Sequence, residues 1–409
     1  MVSFTVCGRF RSFSKTTYLS QKYVGKSRLT GYNPRVLIIA LKNLLHDKTQ
    51  FAVAVVGVSF SVILMAGQIG VFLGFMDNCA LMIDNTDADI WITSKNSRNF
   101  DFSQPLPERK LNLALRVKGV ASGEKLIFGW STIRNPDGGS EQVEIVGFNP
   151  DTGIGGPWAM REGDISAVKG GLHAIVDESS VARLGSIAVG DYREITDHRL
   201  KIVGISREAK SLTTAPIVFT SYANARELVG YMKPDETVFI LLKVLPGFDP
   251  RDVAAEIRQT VDHVDVYTKA EYSWKTKTYW TFETGMGFGF LLTAVMAFAV
   301  GIVVVGQTIY SSTIEHLKEF GVLKAIGAEN HHIYQIIFGQ AFVSAVIGFA
   351  VGMGFTSLTS GAYTRIGLVL LLPPMIIIGV LGATLLMCFL AGFISVWKAM
   401  QAPPAEVFR

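Results

Sequence analysis

Charge is what this chain has little of. Asp, Glu, Lys and Arg make up 18% of its 409 residues, whereas a soluble chain carries about a quarter. Four windows hold no charged residue of these types: Thr49–Met76, Thr284–Ile314, Asn330–Thr364 and Ile366–Trp397. Each exceeds the roughly 20 residues that take an α-helix across ~30 Å of hydrocarbon. The chain therefore reads as an integral membrane protein. Cysteine is scarce as well: only Cys7, Cys79 and Cys388 occur, far apart, which excludes a disulfide framework and a cysteine-rich metal site. HExxH and CxxC patterns are absent, so no metal centre is expected. A nucleotide site is missing too. Gly25-Lys26-Ser27 resembles the end of a phosphate-binding loop, but Ser20 stands where the first glycine of that loop is required. His173 near Asp177, and His198 beside Asp197 and Arg199, lie in stretches that read as strands and turns. They have no nucleophile in a strand-turn-helix setting, so no catalytic set and no bound cofactor are expected.

The charges that are present give an orientation. Residues 1–48 carry nine Lys/Arg against the single acid Asp47, and basic flanks stay in the cytoplasm. Residues 1–34 read as a disordered basic cytoplasmic tail or a mis-assigned start, with a transit peptide as a third reading. Residues 35–76 contain the approach to the first span and the span itself. The block 77–283 has 29 acidic and 24 basic residues and is long enough for a folded domain with its own core. Within it, β-like runs fall at Asp89–Thr93, Gln142–Phe148, Ala174–Val176, Leu200–Ile205, Pro216–Thr220 and Val238–Val244. Helical stretches fit at Glu108–Val117, Ser179–Leu184, Ser221–Leu228 and Pro250–Val261, the last with Asp249 as N-cap and Pro250 at N1. A second span with an outer stalk is predicted over 284–314, a cytoplasmic segment over 315–332 and a third span over 333–359. A short outer loop over 360–368, a fourth span over 369–397 and a cytoplasmic end over 398–409 complete the chain. The expected fold is thus four transmembrane α-helices, one plus three, with a large α+β extracytoplasmic domain between the first two. Both termini are placed on the cytoplasmic side of the membrane.

Polar and small residues in the spans suggest helix contacts. Gln68, Gln307 and Gln340 carry amides that are costly to leave unpaired in lipid, so each is expected to face another helix, or else a polar path. Gly70/Gly74 and Gly348/Gly352 are Gly-xxx-Gly pairs that permit close backbone approach, in a dimer seam or inside one subunit. The segment Thr313–Asn330 reads as a short amphipathic helix: Ile314, Leu317, Phe320, Leu323 and Ile326 are apolar, while Glu315, Lys318, Glu319 and Lys324 are charged. Gly327 is placed to stop it.

The run Lys318-Glu319-Phe320-Gly321-Val322-Leu323-Lys324-Ala325-Ile326-Gly327-Ala328 closely resembles the coupling-helix signature of FtsX/MacB-type ABC transporter permeases. The layout of spans around a large domain resembles that family too. Asn43–Phe51 (NLLHDKTQF), Ile63–Gly70 (ILMAGQIG), Asp89-Ile-Trp-Ile92 and the terminal Pro404–Arg409 (PAEVFR) resemble its DevC-like branch, typified by the heterocyst glycolipid exporter. Gly67 departs from the bulkier apolar residue usual there. The resemblance covers about 35–409. It implies two permease copies, each docking its coupling helix into a separate cytoplasmic ABC ATPase that binds ATP and magnesium. It further implies a periplasmic membrane-fusion adaptor, an outer-membrane channel and a lipid-like or other amphipathic cargo, with no nucleic-acid partner. On this resemblance Glu315, Leu317, Lys318, Glu319, Phe320, Gly321, Leu323, Lys324 and Gly327 form the ATPase contact. Two other readings stay open: a lipoprotein-releasing permease, and an FtsX-type regulator of a cell-wall hydrolase that moves no cargo.

Overall fold

The computed structural model describes residues 48–209, 215–316, 321–322, 330–365 and 368–400. The basic tail 1–34, most of the coupling segment and the C-terminal residues from 401 lie outside them. Helix α1 (Lys48–Asn78) leads into the short α2 (Leu81–Asn85) and the strand β1 (Ile90–Ser94). Then come β2 (Leu106–Pro107), α3 (Arg109–Ala114), β3 (Val120–Arg134), β4 (Ser140–Phe148), β5 (Met160–Gly163) and β6 (His173–Asp177). The next elements are α4 (Val181–Leu184), β7 (Tyr192–Ile195), β8 (His198–Ser206), β9 (Ile217–Ser221) and α5 (Tyr222–Leu228). The domain closes with β10 (Glu236–Thr237), β11 (Phe239–Val244), α6 (Pro250–Thr260), β12 (Val264–Thr268) and α7 (Lys269–Thr278). A π-helical turn, Tyr279–Glu283, precedes α8 (Met286–Glu315), α9 (Asn330–Arg365) and α10 (Pro374–Met400). Among the described residues, helices α1, α8, α9 and α10 are the four long and apolar enough to cross a membrane. The architecture is therefore four spans with a sheet-rich α+β domain between the first and second.

All six β-like runs and all four helical stretches read from the sequence correspond to elements of the domain. Sequence reading omits the longest strand. The 15-residue β3 joins the whole sheet, whose order is β12-β1-β11-β3-β4-β9-β6-β8-β5. Its first part pairs with β11 through Leu126, and its second with β4 from Ile127 onward. A strand that changes partners midway has no single alternation of buried and exposed positions, which removes the usual signal. Around β1 both faces are covered. Ile90 and Ile92 pack with Ile240, Leu242, Val253 and Ile257 on one side. Trp91 packs with Phe100, Phe239 and Tyr272 on the other. Successive side chains of a strand point to opposite faces, so one tripeptide serves two cores. The β3-β4-β9 part of the sheet carries a third core built on Ile127, Val143, Ile145, Val218 and Leu228. Helix α6 starts as expected, with the Asp249 carboxylate accepting from Arg251 N at 2.8 Å. Helix α7 starts with a capping box between Thr268 and Glu271.

The chain divides into two compact units, one of Gly57–Gly301 with Gly348–Met387 and one of Met1–Val56, Ile302–Ile347 and Cys388–Arg409. In the first, the α8 backbone comes very close to α1 and α10 at Gly301, where an added Cβ would lie 2.7 Å from Ser61 Oγ and against the Met387 sulfur. In the second, Ser395 Oγ donates to Gly306 O at 2.7 Å and Phe338 packs on Phe389. The expected outer loop at 360–368 is corrected: α9 continues to Arg365. The start of the last span is corrected as well, because 368–373 have no regular secondary structure and α10 begins at Pro374. Apolar composition carried the predicted span across 369–373, but Pro373-Pro374 favours a helix start at that point.

Candidate functional site

Three sets of residues could carry function: the segment after α8, the helix contacts, and the junction of the domain with α8. In the first, Glu315 ends α8 and is exposed, while Gly321 is helical and half-buried beside the exposed Val322. Leu317, Lys318, Glu319, Phe320, Leu323, Lys324 and Gly327 lie outside the described residues.

Both Gly-xxx-Gly pairs serve contacts within the chain. A Cβ on Gly348 would meet Val58 at 2.5 Å, and one on Gly352 would meet Ser59 O and Val62 at 2.8 Å, so α9 lies against α1 there. Ser59 Oγ donates to Gly348 O at 3.1 Å across the same contact. Gly70 and Gly74 face a partner that sequence reading did not supply, the non-helical segment before α10. Leu371 N donates to Gly70 O at 3.0 Å. A Cβ on Gly74 would overlap the Val369 carbonyl oxygen. Of the three amides, Gln340 is buried and Gln68 half-buried. Gln307 is exposed within the chain. The reason is that α8 is the least buried of the four helices and Gln307 lies on its outward side, one turn from the exposed Val303.

The junction is the site that sequence reading missed. Gly285 takes φ +73° between the π-helical turn and α8, a left-handed conformation that glycine adopts without steric cost. A Cβ on Gly287 would lie 2.6 Å from Thr281 O, so the chain folds back tightly on itself there. Trp280 Nε1 donates to Asp101 Oδ2 at 2.9 Å, and Asn99 Nδ2 donates to the same carboxylate at 3.0 Å. Burial pushes the Asp101 carboxyl up to about 6, against the opposing pull of the Trp280 hydrogen bond. The Trp280 ring sits edge-on to Phe75 of α1 at 5.9 Å, and Thr281 Oγ1 donates to Met76 Sδ at 3.0 Å. The sequence signal was available: Tyr279-Trp280-Thr281-Phe282-Glu283-Thr284-Gly285 crowds aromatics just before a charge-free window.

The histidine pairs have local structural partners instead of a shared site. His173 Nδ1 lies 2.8 Å from Ala167 O, and His198 Nδ1 the same distance from Thr196 O. Asp177 accepts from Ser179 N, Ser206 Oγ and Ala209 N. These contacts tie turns together.

Known proteins match this architecture. The family model described as MacB-like periplasmic core domain matches residues 51–260, and the one described as FtsX-like permease C-terminal matches residues 291–404. An uncharacterized ABC transporter permease of Mycobacterium bovis is 25% identical over 321 residues, spanning 78% of this chain and 84% of its own. Another from Methanocaldococcus jannaschii is 21% identical over 409 residues, spanning 91% of this chain and 97% of its own. The periplasmic region of MacB from Actinobacillus actinomycetemcomitans is similar at TM-score 0.35 and 10% identity, covering 46% of this chain and 92% of that one. The extracellular domain of the noncanonic ABC-type transporter YknZ from Gram-positive bacteria is similar at TM-score 0.33 and 10% identity, covering 44% and 98%. A protein with four membrane-spanning helices and this domain after the first is a multi-pass permease. The chain belongs to the MacB/FtsX family of ABC transporter permeases.

Proposed function

We propose that this chain is the permease of a three-part exporter, nearest in kind to the DevC-like branch. A separate cytoplasmic ATPase binds ATP and magnesium, and two permease copies each dock a coupling helix, residues 315–332, on it. Nucleotide acts only through its different affinity for two states of the assembly. Motion passes through α8 into the large domain, taken here as periplasmic with both termini cytoplasmic. There it works on a membrane-fusion adaptor and an outer-membrane channel, and the cargo is lipid-like or otherwise amphipathic. The observation that carries this reading is position: the Lys318–Ala328 signature falls between the second and third spans of a chain whose domain follows the first. The four charge-free windows support it, because walls without charge suit force transmission better than passage of a polar solute.

In the coupling segment Phe320, Gly321 and Leu323 are assigned the apolar contact with the ATPase, and Glu315, Glu319 and Lys324 the polar contacts around it. The test is Gly321→Trp, with ATP turnover of the partner ATPase measured in reconstituted membranes. The expected result is loss of stimulation by the permease with unchanged membrane insertion. Normal stimulation in that variant would remove the assignment.

A further inference from the structure

The loop between β1 and β2 presents an apolar ring to the outside and spends buried polar groups to hold it there. Phe102 is 50% exposed at the tip of this loop. Its backbone N–H donates to Asn99 Oδ1 at 3.1 Å, and Asn99 itself has no exposed surface. Asn99 Nδ2 and Trp280 Nε1 both donate to the Asp101 carboxylate. Ser103 Oγ donates to Asn99 O at 3.0 Å and pairs with Tyr272 OH at 3.1 Å. A loop with this many internal bonds does not expose phenylalanine for want of a way to fold it inward. Phe282 in the π-helical turn is 75% exposed on the same part of the molecule.

Ring contacts give the depth of Phe102, and of the turn that carries Phe282, along the membrane normal. Phe102 lies edge-on to Tyr279 at 6.0 Å and tilted against Trp280 at 6.1 Å. Trp280 contacts Phe75, and Phe290 contacts Phe72 at 5.6 Å and Phe75 at 6.5 Å. Phe75 stands two residues before Asp77, the first charge after the window Thr49–Met76. That window at 1.5 Å per residue is longer than the ~30 Å hydrocarbon slab, so its last turn lies where acyl chains meet headgroups. Aromatic rings concentrate at that level. Lys95 and Arg98, exposed on the same loop, suit anionic headgroups just above it.

We infer that Phe102 and Phe282 insert into the lipid leaflet on the domain's side of the membrane, so that the large domain is anchored to the bilayer by its own loop as well as by its two flanking helices. The occupant of this aromatic surface is membrane lipid, and the surface is independent of the coupling segment.

The experiment uses the full chain in nanodiscs of phosphatidylcholine and phosphatidylglycerol. Spin labels are placed in Phe102→Cys, Phe282→Cys and, as a water-exposed control on the β3–β4 turn, Asp137→Cys. Cys79 and Cys388 are buried, and Cys7 is changed to serine. Collisions with oxygen and with a water-soluble nickel complex are compared. The expected result is an oxygen-to-nickel accessibility ratio severalfold higher at 102 and 282 than at 137. Equal ratios at all three positions would overturn the inference. So would low access to both reagents with spin–spin broadening, which would mean that a second copy covers the surface. If the Phe102→Cys variant misfolds, the Phe282→Cys label alone decides. ATPase stimulation does not enter the readout, so failure here and failure of the coupling assignment are separate results.

Discussion

Asp101 shows how a single residue can tie a loop to a membrane helix at a cost in stability. Its carboxyl is raised from 3.8 to about 6, chiefly by burial. A group whose folded pKa lies above its unfolded value holds its proton more tightly in the folded state, so the stability it contributes is complete below about pH 4 and is lost as pH rises through 6. Asparagine would keep an acceptor oxygen for Trp280 and Asn99 while removing the buried charge. Asp101→Asn should therefore raise the melting temperature at pH 7, change it little at pH 4, and flatten the profile between. Thermal unfolding of the purified chain across that range checks this, and an unaltered profile would count against the burial account. No sequence pattern marked this residue, because its environment comes from Trp280, far along the chain.

Among the elements, the contact between α1 and the non-helical segment 368–373 is tighter than either glycine pair predicts on its own. Gly74 approaches Val369 so closely that a β-carbon there has no room, and the obstacle is backbone, which cannot swing aside. Gly74→Val should destabilise the chain at or above the ~1–3 kcal/mol typical of overpacking. Gly354→Ala on α9 should be tolerated, since nothing lies within 4 Å of its added carbon. Melting temperature and yield of monodisperse protein separate the two. The elements that sequence reading recovered are those with a local signature: a short apolar run in β1, apolar alternation in β8, a cap and proline at α6. Several of those it missed have a weak one. Strand β3 changes partners midway, α7 is largely polar, and the π-helical turn has no periodicity of its own.

For the whole molecule, the arrangement makes a topological demand: the large domain and the segment after α8 must lie on opposite sides of the bilayer. Cysteines placed at Asp137 and Gly321 should react with a membrane-impermeant maleimide from opposite faces of sealed vesicles. Labelling of both from one face would sink the permease mechanism whatever the family resemblance.

The number of spans, the place of the domain and the kind of protein were legible in the amino-acid sequence because they rest on local quantities. These are the length of an uncharged run and one contiguous signature. Which residues touch was decided only by tertiary structure: both glycine pairs turned to partners within the chain, Gln307 outward, and Asp101 against the foot of α8. Such contacts join positions hundreds of residues apart, and their energies depend on distances of a few tenths of an ångström that no one-dimensional pattern records.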